Sequence, residues 1–303
     1  MIPPEATIVI TTRQRKTDLR KAIESCLSQD LNIEVLVFDD ASEDGTADMV
    51  MQEYPSVRLF RMQDRKGYIV LRNLGFAEAR SPYVFSIDDD AHFSHPSTVR
   101  LTLNAFANDD ATGAIALQYF EPNRTPKQRY MAETLSGARV RSYVGCAHAI
   151  RVDVARQLGG YREFLVHQGE ERDLCIRMLE KGYSVKYLQT PPIVHNPSPV
   201  RDHSRLAYLG HRNTFLFDVL NVPLPSLIWR FPADVFLILK HRITLRALPG
   251  RIANTVKALV ACFWFLSKRD PVSAATYAAY SRLPMHGPIA PSIFQHQVSV
   301  AKP

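Results

Sequence analysis

A chain of 303 residues that is 46% hydrophobic can bury the core of one large domain, or of a domain with an appendage, which excludes a disordered protein. Thirty-seven Lys and Arg against thirty Asp and Glu leave a net charge of +7, which favours anionic ligands or anionic membrane surfaces and does not indicate nucleic acid. Cys26, Cys146, Cys175 and Cys262 are widely separated with no paired spacing, which suggests neither a zinc cluster nor a disulfide framework and suits a reducing cytosol.

The amino terminus reaches a strand almost at once, so no secretory signal and a cytoplasmic location are expected. Ala6-Thr7-Ile8-Val9-Ile10-Thr11-Thr12 is a β-branched run that predicts this strand. Polar Arg13 to Lys16 follows, then Leu19, Ile23 and Leu27 recur at helical spacing. Ile33 to Phe38 predicts a second strand closed by Asp39-Asp40-Ala41-Ser42, and Asp44-Gly45-Thr46 opens a helix with Asp or Thr as cap. Val57 to Phe60 predicts a third strand, and Ile69 to Ala79 a helix with Leu71, Leu74 and Ala79 toward the sheet. Tyr83 to Ile87 reads as a buried strand that stops at Asp88-Asp89-Asp90, carboxylates that no core tolerates unpaired.

Strands alternating with helices imply a mainly parallel α/β sheet whose strand ends converge on one edge, so both acidic groups share a rim. Carboxylates gathered there suit a hard divalent cation held with substrate phosphates. Thr98 to Phe106 reads as a helix and Ala114 to Tyr119 as a strand. Residues 121–142 read as a connection, and Gly145 marks a close backbone approach within Ser142 to Ala147. Val152 to Leu158 is a short helix stopped by Gly159-Gly160. Gly169-Glu170-Glu171-Arg172-Asp173 then places acids at the start of a helix that ends at Gly182. Val185 to Leu188 is a strand leading to Val194-His195-Asn196-Pro197.

Beyond about residue 201 the pattern turns helical, over Leu206 to Leu220, Trp229 to Leu239 and Ile252 to Leu266, punctuated by Pro223, Pro225, Pro232 and Pro249. The apolar run Ala258 to Leu266 falls short of the about 20 residues a spanning helix needs. Basic residues such as Arg242, Lys257 and Arg269 beside Trp-bearing stretches fit either a helix lying on an anionic membrane or a layer packed on the catalytic domain.

Four separated blocks together resemble the inverting glycosyltransferases of family 2, whose nucleotide-sugar-binding α/β arrangement is called GT-A. The resembling residues are Val9 to Arg15, Val37 to Thr46, Asp88-Asp89-Asp90, and Gly159-Gly160-Tyr161 with Glu170 to Leu174; Arg72-Asn73-Leu74-Gly75 also fits. The likeness covers roughly residues 5 to 200. It departs from the family pattern at Thr11 and Arg13, where a proline and an aromatic are usual, and at Glu171, where Asp is more usual. The expected organisation is a GT-A domain over 1–200 and a helical region over 201–303.

The resemblance implies a glycosyltransferase of polysaccharide or cell-envelope biosynthesis, using Mn2+ or Mg2+ and a nucleoside diphosphate sugar, with a saccharide or lipid-linked acceptor. By that likeness Asp90 is a metal ligand, Asp88 holds ribose or metal, Asp89 belongs to the same triplet, and His195 either completes the metal shell or is structural. Thr11 and Arg13 lie where the base stacks, Asp40 or Asp39 accepts a base N–H, and Arg72 lies near the diphosphate or is a solvated helix arginine. Glu171, with Glu170 as the alternative, is the general base toward an acceptor hydroxyl. A nucleotidyltransferase and a catalytically idle glycan- or membrane-binding module are the competing readings.

Overall fold

The computed structural model describes residues 2–122, 136–197, 203–240 and 248–285. Alternating apolar residues give strands β1 (Ala6–Thr12), β2 (Ile33–Asp39), β3 (Arg58–Arg61) and β4 (Tyr83–Asp88), separated by helices α1 (Lys16–Leu27), α2 (Thr46–Glu53) and α3 (Tyr68–Glu78). Next come β5 (Ala91–Phe93), α4 (Thr98–Ala107), β6 (Thr112–Phe120), β7 (Arg139–Val140), β8 (His148–Arg151), α5 (Val152–Gln157), α6 (Glu170–Glu180) and β9 (Ser184–His195). The sheet order is β3-β2-β1-β4-β8-β6-β9-β5, with β7 paired to β9.

β1 to β4, β6 and β9 run one way, so the sheet is mostly parallel, and β5, β7 and β8 run against them. Both faces are buried, as the period of two demands. Ile8, Ile10, Val35, Val37, Phe85 and Ile115 face one core, while Val9, Leu36, Phe38, Val84, Ala114 and Ala116 face the other.

The register brings the acidic strand ends together. Thr12 pairs with Asp39 and Thr11 with Asp88, so the rim expected from the alternating pattern exists. β8 runs the opposite way, and its pairing of His148 with Ser86 starts it near that rim, with Gly145 and Cys146 just before it. β5 pairs Ala91 with His195, which sets Asp90 beside the histidine.

Several elements differ from expectation for identifiable reasons. Leu74 is exposed instead of facing the sheet, because α3 turns Leu71, Gly75 and Phe76 inward, and a Cβ on Gly75 would lie 2.7 Å from a Val9 methyl. β9 is twelve residues long. A register shift opposite Leu117 to Tyr119 absorbs Pro191 and Pro192, which hid the strand from a propensity reading. Ser142 to Ala147 makes a turn closed by a Val144–Ala147 bridge. Much of the 121–142 connection lies outside the described residues.

The helical region comprises α7 (His203–Asn221), α8 (Leu224–Lys240), α9 (Leu248–Trp264) and α10 (Ala274–Arg282). Pro225 and Pro249 sit in first turns, where no amide hydrogen bond is lost, whereas Pro232 lies inside α8. Phe215, Leu216, Val219, Leu220, Ala258 and Cys262 share one core cluster with the sheet.

Candidate active site

The acidic triplet diverges as β4 ends. Asp88 Oδ1 accepts from Arg72 Nη2 at 2.7 Å. Asp89 Oδ2 accepts from Thr12 Oγ1 at 2.9 Å, with Arg15 Nε 3.8 Å from its other oxygen. Asp90 accepts from Arg15 Nη1 at 3.1 Å and stands 3.4 Å from His195 Nε2. Burial pushes the Asp89 carboxyl up to about 7 against the pull of Arg15 and Thr12.

Arg72 ties this rim to the second acid group. Its guanidinium is 3% exposed, lies 3.5 Å from Glu170 Oε1, donates to the Gly145 carbonyl at 3.1 Å and stacks over the Tyr68 ring at 4.8 Å. It is a buried hub, not a solvated helix arginine. A Cβ on Gly145 would meet this guanidinium at 2.9 Å and Glu171 Oε1 at 3.0 Å, so the close approach expected there is made to side chains.

Glu170 and Glu171 open α6 behind Gly169, which has φ +87°. Val166 and Gln168 also take positive φ in the preceding turn, a strained conformation for a β-branched residue. Asn213 of α7 holds that turn by donating to the carbonyls of Leu165 and His167, each at 2.9 Å. The other end is fixed by Asn73, which accepts from Tyr161 N at 2.8 Å and donates to Tyr161 O at 2.9 Å. No Cβ fits at Gly160 against its amide. The block around Asn73 and the glycine pair are therefore one joint.

The two glutamates differ. Glu170 is buried, accepts from Tyr68 Oη at 2.7 Å, and leaves Oε2 buried without a partner among the described residues. Burial and the Glu171 charge raise its carboxyl against Arg72 and Tyr68. Glu171 is half-buried and accepts no hydrogen bond from another side chain among the described residues; burial raises it too, opposed by Arg72. It borders both a cavity of about 860 Å³ and a smaller one of about 340 Å³.

The larger cavity gathers Thr11, Arg13, Asp40, Arg72, Asp88, Asp89, Asp90, Glu170, Glu171 and His195, every sequence-derived candidate except Asp39. Asp39 is fully buried; one oxygen accepts from Ser42 N at 3.0 Å and the other has no partner among the described residues. Asp40 accepts from the amides of Lys66 at 2.6 Å and Gly67 at 3.1 Å, which orders the loop before α3.

Asp88, Cys146 and His195 each offer a ligand atom, all within 4.8 Å of one another, and that carboxylate, thiol and imidazole set fits a divalent transition-metal ion. Burial lowers His195, but Cys146, Asp90 and Glu121 override it and raise the imidazole to about 12. Glu121 sits 2.9 Å from its Nδ1, the orienting contact metal-binding histidines commonly have. Cys146 escaped the sequence reading because a lone cysteine has no spacing to mark it. Tyr68, Asn213 and Glu121 escaped because their roles depend on contacts distant in sequence.

A sheet that collects carboxylates at one rim, faced by a further acid pair across a large cleft, is the arrangement expected from the GT-A resemblance. The chain belongs to glycosyltransferase family 2: the family model described as Glycosyl transferase family 2 matches residues 7–158, just over half of it. It is similar to the pre-mycofactocin glycosyltransferase of Mycobacterium tuberculosis, 23% identical over 221 residues, which are 68% of this chain and 46% of that protein. The succinoglycan biosynthesis protein ExoO of Rhizobium meliloti is 34% identical over 89 residues, 29% of this chain and 26% of that protein. The chain thus spans about half or less of the length of these relatives.

Among solved structures, S. aureus TarS 1-349 in complex with UDP-GlcNAc superposes with a TM-score of 0.60 at 13% identity, covering 85% of this chain and 80% of that one. Mannosyltransferase PcManGT from Pyrobaculum calidifontis in complex with GDP-Man and Mn2+ gives 0.57 at 17%, covering 99% and 86%. At these identities the likeness carries the fold.

Proposed function

We propose that this glycosyltransferase is inverting and metal-dependent, and moves one sugar from a nucleoside diphosphate donor to a hydroxyl of a saccharide or lipid-linked acceptor. The observation that carries it is Glu171, a carboxylate that accepts no side-chain hydrogen bond among the described residues and lies on the border between the large acidic cavity and the smaller one. In this reading the donor occupies the first cavity and the acceptor approaches through the second. Glu171 takes the hydroxyl proton as the acceptor oxygen attacks the anomeric carbon, and the nucleoside diphosphate leaves from the opposite face. A bound Mn2+ or Mg2+ would neutralise the charge that develops on that diphosphate. Asp88 and His195 would hold it, with Cys146 as a further ligand for a transition-metal ion such as Mn2+ but not for Mg2+, and Asp90 bound to it or orienting His195.

Asp40 lines the cavity with lone pairs beyond the two amides it accepts, which supports a contact to a base N–H. Uracil and guanine, the bases of the donors in the two related structures, both carry one. Thr11 and Arg13 line the same cavity, and an Arg guanidinium can stack on a base as an aromatic residue does. Residues 1–200 would form the catalytic unit and 201–303 a helical layer upon it. The setting would be polysaccharide or cell-envelope synthesis from a peripheral place on the inner membrane surface. Among the described residues no helix is long and apolar enough to cross a membrane.

Incubation with a panel of nucleotide sugars, acceptors and Mn2+ should release nucleoside diphosphate and give a product of inverted anomeric configuration. Pyrophosphate release would favour nucleotidyl transfer, and silence across the panel an idle binding module. Asp90→Ala should abolish metal-dependent binding of nucleoside diphosphate; unchanged affinity by calorimetry would remove Asp90 from the metal site. Cobalt substitution tests Cys146 without turnover. A thiolate bound to Co2+ absorbs strongly in the near ultraviolet, and the band should vanish in Cys146→Ser. A Co2+ complex lacking that band would leave the thiol outside the shell.

A further inference from the structure

The positive charge of this chain is concentrated. Residues 219–269 hold eight Lys and Arg against the single Asp234, an excess equal to the +7 of the whole chain, so the remainder is balanced. Arg230 is paired with Asp234 at 3.2 Å and with Asp218, just before the stretch, at 2.6 Å, while Lys240, Lys257 and Lys268 are exposed. Within this stretch lie α8 and α9, which pack on α7 and on each other.

The outward sides of these two helices are apolar. Along α8 the exposed positions recur at helical spacing through Leu224, Ile228, Trp229, Phe236 and Leu237, with no charge until Lys240. On α9 they run through Ile252, Val256, Val260, Phe263 and Trp264, with Lys257 the charged exception. Trp229 is 79% exposed, Phe263 73% and Trp264 75%. Apolar patches of more than a few hundred Å² mark interaction sites.

We propose that the α8–α9 face rests on an anionic lipid bilayer, with Trp229, Phe236, Phe263 and Trp264 at the headgroup boundary and the neighbouring Lys and Arg against lipid phosphates. This rests on the peripheral placement proposed above and gives it a surface. Neither helix is long and apolar enough to cross, so both lie in the plane of the interface. A second copy of the chain fits less well, because a two-fold contact would set like charge against like. α7, on which both helices pack, lines the smaller cavity with Gly210, Asn213 and Thr214. The wall of the proposed acceptor cavity is therefore continuous with the lipid-facing layer, an arrangement suited to a lipid-linked acceptor.

The only two tryptophans of the chain, Trp229 and Trp264, both lie on this face, so intrinsic fluorescence reports on it without a label. With the full chain, vesicles containing phosphatidylglycerol should shift the emission to the blue and sediment the protein, brominated lipid should quench it, and added salt should weaken binding. Vesicles of phosphatidylcholine alone should bind much less. Phe236→Ser with Phe263→Ser should weaken partitioning by at least about tenfold while nucleotide binding persists, which separates this surface from the cleft. Absence of binding to anionic vesicles at low salt would overturn the proposal. A blue shift that grows with protein concentration in the absence of lipid, with doubled mass on sedimentation, would overturn it in favour of self-association.

Discussion

Glu171→Gln is expected to lower kcat by at least about a hundredfold while leaving donor and metal affinity near wild type, the loss that follows from removing general-base assistance. Glutamine keeps the size of the side chain, so its amide still fits beside Gly145 and Arg72 but accepts no proton. Glu170→Gln should do much less. Burial already favours the protonated form of Glu170, and glutamine resembles that form while keeping an oxygen for Tyr68 and Arg72. Because burial also raises Glu171, the acid limb of the kcat profile should lie above the ordinary glutamate range of about 4.3 and disappear in Glu171→Gln. Stopped kinetics in which Glu170→Gln is the silent enzyme would move the base one residue back, and near-full activity in both variants would end the single-displacement reading.

The strand-end acids were legible because carboxylates closing an apolar run can only sit at a rim, and alternating elements put both sets on the same rim. Asp39-Asp40 and Asp88 to Asp90 were found in this way, whereas Glu170-Glu171 stood out as acids at a helix start and took their role from the family resemblance. The partners that differentiate them were not legible. Asp40 and Asp39 are adjacent in sequence, yet only Asp40 lines the cavity, because successive residues leaving a strand diverge. Cys146 reaches the site because β8 runs antiparallel, a direction that an alternating pattern does not announce. His195 depends on the irregularity that carries two prolines through β9. The apolar outward sides of α8 and α9 were hidden for a related reason. A hydrophobic stripe has the same period whether it faces core or lipid, and only the packing on α7 shows which side is covered.

Arg72→Met should destabilise the fold by about 3 to 5 kcal/mol, the range for removing one partner from a buried ion pair. Methionine fills much of the volume, so the loss is electrostatic. Asp88 would lose its 2.7 Å donor, Gly145 O its 3.1 Å donor, and Glu170 would keep only Tyr68. Arg72→Lys should recover part of the loss, since an ammonium restores the charge but not the planar fork that reaches these groups together. The pH dependence separates this account from simple loss of packing. Burial raises Glu170 in the folded protein and Arg72 opposes it, so removing Arg72 raises it further. An acid raised on folding contributes stability that is present at low pH and lost as pH climbs through its folded value. Glu170 in the folded wild type already titrates at about 8. The gap between wild type and Arg72→Met, read from urea midpoints at constant m, should therefore be steady below that pH and widen from about pH 8 to about pH 10. A gap that stays flat or narrows over that interval would mean that Arg72 acts through packing, and that Glu170 is held by Tyr68 alone.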